Sequence, residues 1–282
     1  MSTTTLRRDD GPGDTPGPEG PGGGAVAPRT TVTGRLRALG RAELTLLVRN
    51  RTALFSALVI PIALTFAVRS VVADMDLSGT GLSTGTVLLP GAIGFVLLFA
   101  VYANLVGTYV VRREELVLKR LRTGEPGDAE ILAGAALPAV VIALAQCVLL
   151  VVGGAALLDL AAPESPELLV LGLLLGLAFT AIAAAATAAF TGSAEGAQLT
   201  PMPLMMVSFI LCGVFVPLDL LPDGVAAVAE WLPVTPVMEL LRGGWTGGTD
   251  GGEALQALGV AVAWTALAGW VVRKRFRWEP RR

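Results

Sequence analysis

The 282-residue chain has no histidine and only two cysteines and two lysines. Without histidine, the commonest side chain for metal ligation and for acid–base chemistry near neutral pH is missing. Cys147 and Cys212 each stand inside a long apolar run and form no CxxC, so they read as small buried hydrophobes. Lys119 and Lys274 follow no glycine-rich loop, which excludes a GxxxxGK[ST] nucleotide site. HExxH is absent, and no apolar segment carries a pair of carboxylates. Charge is scarce too: 16% of residues are charged, against roughly 25% in soluble domains. With 53% hydrophobic residues and a mean hydropathy of +0.68, an ordinary soluble globule and a wholly disordered chain are both excluded. The 34 glycines and 18 prolines follow no fixed period, which excludes collagen.

Residues 1–33, rich in Gly, Pro, Thr and charge, read as a disordered tail with little to bury. No apolar stretch follows Arg7 and Arg8, so the segment does not read as a signal peptide. Beyond Arg51 come six apolar segments, at about 52–72, 87–111, 131–158, 168–190, 199–216 and 254–272. Each approaches the ~20 residues that cross a bilayer as a helix. Backbone groups in hydrocarbon must be satisfied within the segment, so these segments are expected to be helices. Pro61 predicts a kink in the first, while Pro201 and Pro203 fall where a helix start tolerates proline.

Lys and Arg set the expected orientation. With six spans, nineteen of the 21 cluster on one side, in 1–51, 112–130 and 273–282, leaving Arg69 and Arg242 on the other. That places both termini in the cytoplasm. Counting carboxylates as well, the net −2 divides into roughly +7 inside and −9 outside.

Three stretches outside the spans invite a functional reading. In Gly34–Arg51, Leu36, Leu39, Leu44, Leu46 and Leu47 share an arc of about 160°, with Arg37, Arg41 and Arg49 outside it. An interfacial helix on an anionic leaflet fits this pattern, as does a basic flank that merely fixes topology. Arg112–Glu130 (RREELVLKRLRTGEPGDAE) combines a Glu115–Lys119 helical spacing with a break at Thr123–Pro126. It fits a contact surface for a soluble partner or a solvated loop. In Pro217–Gly252, short semi-apolar pieces between prolines are too short to cross and are expected to dip into the outer interface, with Trp231 and Trp245 in its aromatic belt. They suit either a plug on the helix ends or a gate. No carboxylate stands securely mid-span, which argues against intrinsic ion coupling. Gly172-xxx-Gly176 offers a small-residue face for close helix packing.

Two segments carry a family resemblance. Arg112–Gly134 has Arg112, Glu115, Leu118, Leu121, Arg122, Thr123 and Pro126 in an R-x-x-E…L-x-x-L-R-T…P pattern, with Leu116 where glycine is usual and Gly124-Glu125 parting Thr123 from Pro126. Gly213–Arg242 has Gly213, Phe215, Pro217, a Leu221-Pro222 turn, Pro233, Thr235, Glu239 and Arg242 in order. With the span order, these resemble the permease subunit of ABC-2 type exporters, and among them the daunorubicin-resistance type multidrug efflux permeases. The expected architecture is an all-α membrane protein with six transmembrane helices and an N-terminal interfacial helix. Short outer re-entrant helices stand between the fifth and sixth spans. The transmembrane domain is expected over 34–275, with a basic cytoplasmic tail at 276–282. The resemblance implies a bacterial plasma (inner) membrane protein that pairs with a second permease copy and docks two cytoplasmic ABC ATPase subunits. It implies no catalytic chemistry or cofactor on this chain, and no nucleic-acid partner. ATPase coupling is expected at Arg37, Arg41, Glu115, Lys119, Arg120 and Arg122, and an outer gate at Pro217, Pro222, Pro233, Glu239 and Arg242. An amphipathic drug, antibiotic or lipid-like cargo fits the apolar spans. A polysaccharide or cation exporter of the same family, a secondary carrier and a lipid-modifying membrane enzyme are the alternatives.

Overall fold

A computed structural model describes residues 31–49, 55, 84–157, 162–214 and 222–279. The expected first span at 52–72, apart from Phe55, and the gate residue Pro217 lie outside the described residues. Among the described residues every regular element is a helix. They run α1 (Val32–Arg49), α2 (Thr84–Val96), a π-helical stretch (Leu97–Ala103), α3 (Asn104–Glu114), α4 (Val117–Arg122), α5 (Asp128–Leu157), α6 (Pro166–Phe190), α7 (Gly196–Leu199), α8 (Met202–Leu211), α9 (Asp223–Ala229), α10 (Thr235–Thr246) and α11 (Gly251–Arg275).

Among the described residues four helical stretches are long and apolar enough to cross a membrane: Leu88–Glu114, Asp128–Ala155, Pro166–Phe190 and Gly251–Arg275. At 1.5 Å per residue each is roughly 38–42 Å long, beyond the ~30 Å hydrocarbon core. Their outward faces are apolar. Val148, Leu149 and Val152 on α5, and Leu255, Val262 and Trp270 on α11, are exposed. Such faces suit lipid rather than water. The stretch expected to form the fifth span is shorter. Gly196–Leu211 is broken at Thr200-Pro201, and α8 ends before Cys212. Pro201 supplies no N–H to continue from α7, so a new helix begins after it.

Helix α6 is the centre of the bundle, touching the π-helical stretch, α3, α10 and α11. Its second half is almost entirely small. Ala183, Ala184, Ala185, Ala188 and Ala189 are buried there, and alanine both favours helix and permits close neighbours. In its first half Gly172 and Gly176 accept α10. A Cβ on Gly172 would stand 3.0 Å from Leu240 Cβ, and one on Gly176 would stand 2.8 Å from Val237 Cγ1. The small-residue face is thus an internal packing surface. Helix α1 leans on α5: Arg35 pairs with Glu130, and Gly40 and Gly134 leave room for Leu137 and Leu39. These contacts advance together along both helices, so α1 runs in the same direction as the first turns of α5.

Candidate functional site

Long-range contacts gather the charged segments at one end of the bundle. Helix α3 finishes in Arg112-Arg113-Glu114, and Tyr109 just above donates to the Leu132 carbonyl of α5 at 3.1 Å. The Arg113 side chain is fully buried and donates to the carbonyls of Ala188 (2.9 Å) and Thr191 (2.5 Å). Those carbonyls close α6, where the helix leaves acceptors unpaired and the dipole is negative, so a guanidinium is well matched to them. The neighbouring Glu114 accepts from the backbone N–H of Ala194 at 3.2 Å. Two consecutive side chains therefore hold the α6–α7 turn. Within a charge run neither was separable from its neighbours. Arg113 stands out only once its surroundings are known.

The helix then stops. Glu115 caps α3, and Leu116 adopts φ 62°, ψ 12°, alone among the described non-glycine residues in having a positive φ. Its N–H bonds the Arg113 carbonyl, and its own carbonyl receives Arg120 N–H. This is the left-handed position that helix C-termini usually give to glycine, which accounts for the glycine expected there. The break also separates Glu115 from Lys119, so the expected one-turn pairing along a single helix does not form. Helix α4 is anchored through buried Leu118, with Lys119, Arg120 and Arg122 exposed. Arg122 meets Asp128 on the first turn of α5 at 3.0 Å and stacks 5.0 Å above the Trp278 ring. Lys119 meets Glu279 at 2.8 Å. Arg35, two residues before Arg37, forms a two-armed pair with Glu130 at 2.8 and 2.9 Å, whereas Arg37 and Arg41 remain exposed.

A cavity of about 670 Å³ rises from this end between the π-helical stretch, α3 and α7–α8. Arg112 and Glu115 line it beside the charged loop; Asn104, Thr108 and Gln198 add polar groups; Phe99, Val111, Met202 and Met205 supply the apolar wall. Phe99 belongs to a stack with Phe95 and Phe209, ring centroids 4.3 and 5.8 Å from its own. The π-helical stretch, where Asn104 N–H reaches the Phe99 carbonyl five residues back, lies against the cavity, and such turns often accompany functional sites.

At the opposite end, α9 and α10 form the short helices expected between the fifth and sixth spans. Pro222 is exposed before α9, while Pro233 lies buried in the turn to α10. Most of α10 is buried, including Trp245, which therefore takes no place in an interfacial belt; Trp231 is exposed and its carbonyl receives Trp264 Nε1 at 2.9 Å. Arg242 donates to the Gly213 carbonyl at the end of α8 at 2.7 Å. Burial raises the Glu239 carboxyl to about 7, with Glu230 and Glu253 adding to the rise and Arg242 opposing it.

No group of three or more potential metal ligands occurs among the described residues. Gly81-Leu82-Ser83-Thr84-Gly85 spells GxSxG, but this chain has no histidine to act as a base for that serine. The described residues thus form an all-helical domain with membrane-length apolar helices, a charged loop and a cavity of mixed lining. A family model described as ABC-2 type transporter matches residues 34–245, and the chain belongs to that family. No curated protein matches the chain. The family is the membrane component of transport systems and typically works with an ATPase subunit.

Proposed function

We propose that the chain is the permease subunit of an ABC exporter of the drug-efflux type. It works as a homodimer on two cytoplasmic ATPase subunits in a bacterial inner membrane. Six spans, with both termini and the Arg112–Glu130 loop on the cytoplasmic side, agree with the nineteen basic residues grouped there. The observation that carries the reading is the position of Arg112 and Glu115. They line the 670 Å³ cavity and also begin the charged loop, so a push on α4 acts directly on the cavity. The mixed lining suits an amphipathic drug, antibiotic or lipid-like cargo. Arg120, with Arg37 and Arg41, contacts the ATPase, while Lys119, Arg122 and Glu115 shape the loop. On the outer side α9 moves between Pro222 and Pro233 for release, and α10, fixed through Arg242, is the post against which it closes.

The test is co-purification of the full chain with an ABC ATPase, followed by ATP-driven export from proteoliposomes. The reading expects capture and export, with Arg120→Glu weakening both. Transport by the purified chain without any ATPase would overturn it. Unchanged capture and export in Arg120→Glu would remove the docking assignment.

A further inference from the structure

The last span does not simply end in a basic tail. Phe276 caps α11 in an extended conformation, so the chain turns away from the helix axis toward α4. The Phe276 ring meets Tyr109 edge-on at 6.4 Å and Trp278 at 5.1 Å. Trp278 in turn lies under Arg122, and Glu279 takes Lys119. Three residues of this four-residue stretch, Phe276, Trp278 and Glu279, thus join α11 to α3 and α4.

Helix α4 needs such support. Six residues make fewer than two turns, far below the length at which a helix holds itself. Its orientation depends on buried Leu118, on the Arg122–Asp128 pair and on Phe276–Glu279. At about 100° per residue, Lys119 and Arg122 stand about 60° apart on one side, and Arg120 lies about 100° and 160° from them. The α11 segment therefore holds one face of α4 and leaves Arg120 to the other.

We infer that Phe276–Glu279 is a coupling strap, in which Trp278 and Glu279 are positioning residues that orient α4 toward the ATPase and tie its movement to α11. The inference rests on the permease reading above. Helix α11 packs along α6, whose end is held by Arg113. A displacement of α4 then reaches α6 by two routes, through α3 and through the strap.

Two measurements test this. In the full chain alone, hydrogen exchange of the α4 amides is expected to quicken in Trp278→Ala and Glu279→Lys. The expected factor is about two- to fivefold, as an exposed cation–π contact or ion pair supplies. In the ATPase complex, Glu279→Lys and Lys119→Glu are each expected to retain the ATPase but to lower export per ATP by a similar factor. The swap Lys119→Glu/Glu279→Lys restores it. Unchanged exchange in both variants overturns the strap. Loss of ATPase capture in Lys119→Glu that the swap leaves unrepaired also overturns it, because Lys119 is then a direct contact. A chain ending after Arg275 that exports faster than the full chain makes the segment a brake and overturns it likewise. If the unmodified chain captures no ATPase while the exchange effect is present, the permease reading fails and the positioning of α4 stands.

Discussion

Replacing Leu116 with glycine should strengthen the charged loop, although it removes an apolar side chain. At φ 62° a β-carbon crowds the following carbonyl, at a cost of roughly 1–2 kcal/mol. Glycine is relieved of that cost but loses about 0.5–1 kcal/mol through the greater freedom of its unfolded chain. The side chain is already 38% exposed, so little packing is forfeited. A net local gain of about 0.5–1 kcal/mol remains, which slows opening of the turn by about two- to fivefold. Hydrogen exchange at Arg120, whose N–H bonds the Leu116 carbonyl, reads this directly. Leu116→Ala keeps the strained backbone and loses the side chain, so its exchange should quicken. The expected order of protection is glycine above leucine above alanine. Any other order refutes the claim that backbone strain, rather than the leucine contact, dominates the turn.

Arg113→Met should cost about 3 kcal/mol or more in unfolding assays, because two hydrogen bonds to a charged donor, each worth about 1.5–3 kcal/mol, are lost at the end of α6. Arg113→Lys, which keeps the charge but not the fork, should lose less; equal losses would remove the bidentate argument. Gly244→Ala places a β-carbon 2.5 Å from the Leu169 backbone nitrogen and should lower thermal stability by about 1–3 kcal/mol. Gly248→Ala, with 3.6 Å to its nearest neighbour, should change it by less than about 0.5 kcal/mol. Because the folded Glu239 carboxyl sits above its ordinary value, at about 7, its contribution is fully present below about pH 4.5. That contribution is lost as the pH rises through 7. Amides of α10 should therefore exchange more slowly, after correction for intrinsic rates, at pH 5 than at pH 8. Glu239→Gln should flatten that difference, and a pH dependence surviving the substitution would assign it elsewhere.

The apolar helices were legible because hydropathy depends only on composition along the chain. The expected segments at 131–158, 168–190 and 254–272 lie within or close to α5, α6 and α11, and the semi-apolar pieces after Pro222 became α9 and α10. Local chemistry agrees with two of the helix starts: Pro166 opens α6 and Asp128 opens α5. Partner choice among charges was not. Lys119 and Glu115 are one helical turn apart on paper, yet Leu116 breaks the helix between them, and Lys119 pairs with a residue 160 positions later.

Composition by itself determined that this is a helical membrane protein, and charge placement set the expectation of a basic end and an acidic end. Both properties follow from transfer free energies that each segment carries regardless of its neighbours. Only the tertiary structure decided that Arg113 is a buried clasp on α6, that Leu116 occupies a glycine conformation, and that the tail after α11 returns to α4. Each of these depends on which helix ends meet, and in a bundle that is set by packing. Gly172 and Gly176 admit α10, and Gly40 and Gly134 let α1 and α5 approach. The absent histidine and the scarce lysines narrowed the chemistry at the outset, while the fold determined which of the few remaining charges are buried, which are paired and which face outward.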